Sequence, residues 1–362
     1  MRAFILLVVV SLLPVQQTQA ASNCFAVAKS ANVNIRSGPS AEEYSVIGVI
    51  SNGEALPIIG QNESGDWYAV EYPHGEQAWV AGNAVELEGS CDLVPTLPNP
   101  GPPPEIDQLM SVPILPTLDV ENLRAIYARG QALGNAPDAF TKLGDCNTDT
   151  SFFLTAFDTG AYDLGTYDQL QPTVDYFAGS FEHISLVGQV GFNAATMLDP
   201  MFVDPRKCAS NEGGLLACEY DRRPPSVAIL MFGPNDLLNL SEEQFAQAVT
   251  DIVEYSIDRG VIPVITTFTW HKDQLWPKAL RFNVITVEIA EEYGIPVINF
   301  WRAAQDLPNM GLIDDYTHLT SPNSSFDIAF TGEETRYGYP MRNLLTLQTL
   351  DLLRREVIEA KH

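Results

Sequence analysis

Four short segments of this chain carry side chains able to run acyl transfer. They are Leu143-Gly144-Asp145-Cys146-Asn147, Gly191-Phe192-Asn193-Ala194-Ala195-Thr196, Gly233-Pro234-Asn235-Asp236 and Asp315-Tyr316-Thr317-His318. Acyl transfer needs a nucleophile, a base within reach of it, a group that orients the base, and donors for the oxyanion. Cys146 is the candidate nucleophile: a thiol pKa of about 8.5 can fall beside an imidazolium, giving thiolate at neutral pH. His318 is the candidate base, since a free imidazole titrates near ~6.5. Asp315, three residues earlier, can accept from the other ring nitrogen and fix the tautomer. Asn235 offers a side-chain N–H to the oxyanion, as do the backbone N–H groups of Cys146 and Ala194, with Gly191 as the other backbone candidate. The competing reading is structural: an inert buried cysteine, a surface histidine, a loop carboxylate and a turn asparagine bonded to its own backbone.

These residues need rigid elements behind them, and residues 119–362 supply the pattern. Ala228 to Met231 form an apolar run that stops at Gly233, and Val261 to Phe268 and Ile295 to Phe300 repeat it. Ser241 with Gln244 predicts a capping box, opening a helix with Phe245, Val249, Ile252, Val253 and Ile257 on one face. Gly260 stands where that helix needs its end, and a second helix is expected from Lys278 to Tyr293, stopping at Gly294. Strand and helix in alternation imply a parallel sheet covered on both faces. Ligand chemistry in such sheets sits beyond the strand carboxyl ends. The first segment is expected to close the first strand, the second to follow the next strand, and the third to end another.

Upstream lies a different texture. Residues 24–91 hold short alternating runs broken by turns at Ser37-Gly38-Pro39-Ser40 and Ser51-Asn52-Gly53, with Trp67, Tyr68, Val70, Trp79 and Val80 as core candidates. That spacing predicts a small β-barrel. Residues 92–118 contain eight prolines, which predicts an extended spacer without helix or strand. At the start, Arg2, an apolar run from Phe4 to Leu13, and Thr18 and Ala20 read as a secretory signal over residues 1–20, cut before Ala21. Export makes cystine the expected state of paired cysteines. Of the ~15 two-bridge arrangements open to five cysteines, the simplest pairs Cys24 with Cys91 and Cys208 with Cys218. Cys146 is then the free thiol.

Charge excludes some partners. The formal net charge is −26, from 46 acidic against 20 basic residues. Nucleic-acid binding depends on Lys and Arg, so it is disfavoured. No stretch beyond the N-terminal one approaches membrane-spanning length, no His/Cys spacing suits a metal, and Gly213-Gly214 lacks the Lys-Ser/Thr of a phosphate loop. No cofactor is implied.

The four segments, taken in order, resemble the blocks of the SGNH (GDSL-type) hydrolase family over roughly residues 138–350. Cys146 stands where that family has serine, and Ala194 where its second block usually has glycine. The resemblance implies a flavodoxin-like three-layer α/β/α sandwich and ester hydrolysis through an acyl-enzyme. Asn32 to Ser40, with Gly65-Asp66-Trp67-Tyr68 and Ala78-Trp79-Val80, resembles bacterial SH3-like domains, which bind cell-wall peptides or glycans and carry no catalysis. Together they imply an exported esterase that deacylates a carbohydrate or cell-wall polymer. A catalytically silent wall-binding protein with a degenerate SGNH domain is the alternative, and a secreted lipase-like esterase is a third.

Overall fold

Alternating apolar residues set seven short strands at the start of the chain: β1 (Cys24–Ala28), β2 (Val33–Arg36), β3 (Val46–Ile50), β4 (Ala55–Gln61), β5 (Trp67–Tyr72), β6 (Glu76–Ala81) and β7 (Val85–Gly89). They form one antiparallel sheet in the order β3-β2-β6-β5-β4-β1-β7. The computed structural model describes residues 23–41, 44, 46–72, 76–273, 275–315, 317–322 and 327–360. The expected signal segment and Tyr316 lie outside these residues. The chain divides into two units, residues 1–100 and 101–362.

In the first unit Ala26, Ile35, Val70, Trp79 and Val80 are fully buried. Trp67 and Tyr68 are only partly buried, contrary to expectation. They open β5 directly after a turn in which the Asn62 carboxamide oxygen accepts from the N–H groups of Asp66 and Trp67, at the end of the sheet. A disulfide joins Cys24 to Cys91. Among the described residues the second bridge is Cys208–Cys218 and Cys146 is free, as the simplest pairing expects.

The spacer reading of residues 92–118 is corrected. Leu97 N–H donates to Gln61 and Gln61 N–H to Pro95, laying residues 95–97 along β4 in the first unit. In the second unit, Pro104–Ser111 is a helix, α1, with Leu109 buried. Pro104 occupies its first position, where no intrahelical N–H bond is needed, and Glu105 and Asp107 suit the helix N-terminus. Proline density was the wrong guide because the prolines stand before the helix, at its first position, or after it at Pro113 and Pro116, and none interrupts it. The Asn299 amide then binds the carbonyls of Leu109 and Val112 and holds the helix end.

The second unit continues with α2 (Val120–Leu133), β8 (Ala136–Gly144), α3 (Ala156–Thr159), β9 (Tyr162–Asp163), α4 (Gln171–Tyr176), α5 (Gly214–Arg222), β10 (Pro225–Met231), α6 (Asp236–Asn239) and α7 (Glu242–Asp258). It ends with β11 (Ile262–Thr266), α8 (Trp276–Tyr293), β12 (Val297–Ile298), α9 (Phe300–Ala304), β13 (Ile328–Ala329) and α10 (Gly338–Leu353). Strands β12-β11-β10-β8 form a parallel sheet. Every residue of β10 and β11 is buried, so helices cover both faces. The capping box at Ser241 and Gln244 opens α7 as predicted.

The strand expected before Gly191 is absent. Only Gly144 and Gly188 form an isolated parallel bridge there. The backbone donors that would extend the ladder are taken by side chains: Leu186 N–H goes to Glu219 and Val187 N–H to Ser185. Counting that bridge as the second strand, the sheet has the flavodoxin-like order 2-1-3-4-5.

The Cys24–Cys91 bridge spans 67 residues of a unit with a small core. Replacing both cysteines with serine is expected to cost the first unit about 4 kcal/mol. Hydrogen exchange of β1 to β7 in increasing urea measures that loss, and unchanged protection would contradict it.

Candidate active site

The first candidate side chain stands on a turn that needs glycine at its base. A Cβ on Gly144 would lie 2.3 Å from the Thr148 hydroxyl and 2.6 Å from the Met231 carbonyl. The chain therefore folds tightly over the end of β8, and the N–H groups of Thr148 and Asp149 both donate to the Asp145 carbonyl at 2.9 Å. The Asp145 side chain is fully buried and accepts from Asn147 N–H at 2.9 Å. Burial raises its pKa to about 6, against the pull of that N–H and of Arg342 and His318.

Cys146 follows, partly buried, with its own N–H and that of Asn147 facing the sulfur. Burial pushes the thiol up to about 11, and the Asp145 carboxylate adds to the rise. This corrects the expectation of a depressed pKa. The turn removes water from the sulfur and sets a carboxylate beside it, and those effects outweigh the two N–H groups.

His318 and Asp315 sit on a hairpin closed by a Leu312–Leu319 bridge and by Ile313 N–H donating to the His318 carbonyl. One Asp315 oxygen accepts from the N–H groups of Thr317 and His318, each at 3.0 Å. The other lies 2.6 Å from His318 Nδ1. Burial tends to raise the Asp315 pKa, but the two N–H groups and the imidazole hold it below the ordinary carboxylate value. An ionised carboxylate only accepts, so Nδ1 carries the proton and Nε2 is left as the base.

Asn147 joins the two loops. Its amide nitrogen donates to the Thr317 carbonyl at 3.0 Å, and its amide oxygen accepts from Leu319 N–H at 3.1 Å, so one side chain grips both neighbours of His318. Tyr339 hydroxyl reaches the same oxygen at 3.3 Å. From α10, buried Arg342 donates to the Asn147 carbonyl at 2.7 Å and the Thr148 hydroxyl at 3.0 Å. Sequence reasoning missed Asn147, Tyr339 and Arg342. A cation inside the apolar run of α10 was the available signal.

The oxyanion donors divide. One amide hydrogen of Asn235 goes to the Phe192 carbonyl at 2.9 Å, which orients the group and leaves the second hydrogen. Ala194 N–H donates to Asp236 at 2.8 Å, so it is not available and that assignment is corrected. The other Asp236 oxygen accepts from Gly233 N–H at 2.8 Å. Burial raises the Asp236 pKa to about 6, opposed by those bonds. Gly191 is an exposed turn residue at φ 84° with open space around it. The Cys146 N–H donates to no other residue among those described.

Two outcomes follow from this geometry. Iodoacetamide labelling of Cys146 should be slow at neutral pH and rise toward pH 11, because only thiolate reacts. Asp145→Asn should move that rise to lower pH by removing a like charge, and a rise already complete near pH 8 would refute the burial account. Asn147→Ala should cut any turnover at least tenfold while leaving Cys146 labelling nearly unchanged, measured in parallel on one preparation.

Residues 31–86 match the bacterial SH3 domain family. No curated protein matches the chain. Among solved structures, it is similar to a lipolytic protein of the G-D-S-L family from Desulfitobacterium hafniense (14% identity, 59% of this chain and 99% of that one, TM-score 0.36). It is also similar to a lipase/acylhydrolase from Enterococcus faecalis (14%, 58% and 93%, TM-score 0.37). A variant of an acetyl xylan esterase from Geobacillus stearothermophilus is a third (12%, 63% and 98%, TM-score 0.40). Likenesses this partial assign no activity. The chain carries a bacterial SH3 domain at residues 31–86, followed by a parallel α/β unit whose four segments resemble those of the SGNH hydrolases.

Proposed function

We propose that the second unit hydrolyses a carboxylic ester through a covalent intermediate on Cys146. The observation that carries this reading is the His318–Asp315 contact at 2.6 Å, on a hairpin held by the residue next to the nucleophile. In this reading Cys146 Sγ attacks the ester carbonyl carbon while His318 Nε2 takes the thiol proton. The carbonyl oxygen gains charge and accepts from the spare Asn235 hydrogen and from Cys146 N–H. The C–O bond breaks as His318 returns the proton to the departing alcohol. Water then attacks the thioester, again losing a proton to His318, and the thiol and free acid are released. With the thiol held up to about 11, proton removal accompanies attack instead of preceding it.

The substrate we propose is a carbohydrate or cell-wall polymer bearing acyl groups, on an exported protein. The bacterial SH3 domain supports the wall assignment through the ligands its family binds. Two disulfides and the N-terminal signal pattern support export. Among the described residues no helix is long and apolar enough to cross a membrane.

A silent wall-binding protein is the second reading. The raised Cys146 thiol and the Ala194 N–H committed to Asp236 favour it. Hydrolysis of 4-nitrophenyl acetate separates the two. The proposed enzyme loses all turnover in Cys146→Ala, falls about 100-fold or more in His318→Ala, and falls about 100-fold in Asn235→Ala. An inert wild type beside an active Cys146→Ser would instead identify a retired enzyme. For the wall assignment, the full mature chain should sediment with purified peptidoglycan, and failure to do so removes that part of the reading.

A further inference from the structure

Beside the nucleophile turn, along the outer edge of β8, lies a cavity of about 360 Å³. Lys142 lines it and is only 6% exposed. The ammonium spends one of its three hydrogens on the Phe181 carbonyl at 2.7 Å and lies 6.0 Å from the Phe153 ring. No carboxylate pairs with it among the described residues. Buried charges are normally paired, because desolvation costs several kcal/mol per ion.

The surrounding charges do not fill that role. Arg342 and Arg223 act on Lys142 as like charges. Asp158 accepts from the N–H groups of Gly179 and Glu182, and Asp149 accepts from Val190 N–H. Glu219 is taken by His183, Thr141 and Leu186. Glu182 and Asp149 are exposed at the rim. Deeper in the cavity are the hydroxyls of Thr148 and Ser185, both buried. The one Thr141 hydroxyl hydrogen goes to Glu219, so Ser185 donates to Thr141, accepts from Val187 N–H, and keeps a lone pair for a ligand hydroxyl. The floor therefore holds two hydroxyls and a cation that touches no carboxylate, with Asp158 and Asp149 acting on it only from beyond contact.

We propose that this cavity binds the carboxylate of a small hydroxylated acid, with Lys142 as its counter-ion and Ser185 and Thr148 as hydroxyl partners. The site is separate from the ester-hydrolysis reading, and its test reads binding without turnover. Isothermal titration of the full mature chain with glucuronate, against glucose and against sodium chloride at equal ionic strength, tests it. Glucuronate should bind and glucose should not. Lys142→Met, its fold checked by circular dichroism, should bind glucuronate at least tenfold more weakly. Equal binding of glucose, or undiminished binding by Lys142→Met, overturns the proposal.

A measurement on the unmodified protein guards against misfolding of the variant. Burial lowers the Lys142 pKa to about 8, with Arg342 and Arg223 assisting and Asp158 and Asp149 opposing. A lowered cation loses its proton as pH rises through that value, so glucuronate affinity should fall about 25-fold between pH 7.5 and 9.5. His183, Glu182 and Asp149 line the same cavity, so the profile is repeated on Lys142→Met, which should lose the fall. A flat profile overturns the proposal. Oligogalacturonate that binds as well as the free acid places the carboxylate on a polymer, and binding by the free acid alone makes it a small metabolite. Either pattern upholds carboxylate recognition.

Discussion

A single carboxamide holds the candidate site together. Asn147 bonds on both sides of His318 and is itself held through its carbonyl by buried Arg342. The nucleophile turn and the histidine hairpin are separated by about two-thirds of the second unit in sequence, yet this side chain bonds one directly to the other. A neutral amide suits the task because it offers a donor and an acceptor at fixed separation. A carboxylate at 147 would lose the Thr317 bond and set a second negative charge beside the Asp145 side chain.

Around that clamp, desolvation sets the electrostatics. Asp145 and Asp236 both lie beneath the site, and both are raised to about 6. They serve as acceptors for backbone N–H groups: Asp145 shapes the nucleophile turn, and Asp236 ties the Ala194 and Gly233 loops. The cost appears at Cys146, whose sulfur shares the buried, anionic surroundings. A serine hydroxyl never ionises at working pH, so such a setting matters less to it. A thiol is more sensitive, because its reactive form is charged.

The histidine pair lies nearer the surface. Asp315 and His318 are each roughly half exposed, and their contact relies on local geometry more than on a dry interior. Two backbone N–H bonds fix the carboxylate before the ring reaches it. Lys142 and Arg342 lie much deeper, and only Arg342 has a buried carboxylate, Asp145, acting on it as a counter-charge.

Much of the architecture was legible from local chemistry. Capping residues, helix-ending glycines and apolar runs act over a few residues, so they identified α7, α8, β10 and β11 and the divide into two textures. The cysteine pairing was also legible, since spacing alone favours the short loop and the closed domain. The Asp315–His318 pair was visible because three residues suffice to form it. Other features lay beyond reach. The helix inside the proline-rich segment, the lost second strand, the spent Ala194 N–H and the raised thiol each depend on a partner distant in sequence: Asn299, Glu219, Asp236, and the burial that packing imposes. Residue types and short spacings thus determined which chemistry the chain could attempt. Only the tertiary structure decided which hydrogen-bond donors remain free and which charges lose their water, because both are properties of neighbours that the fold supplies.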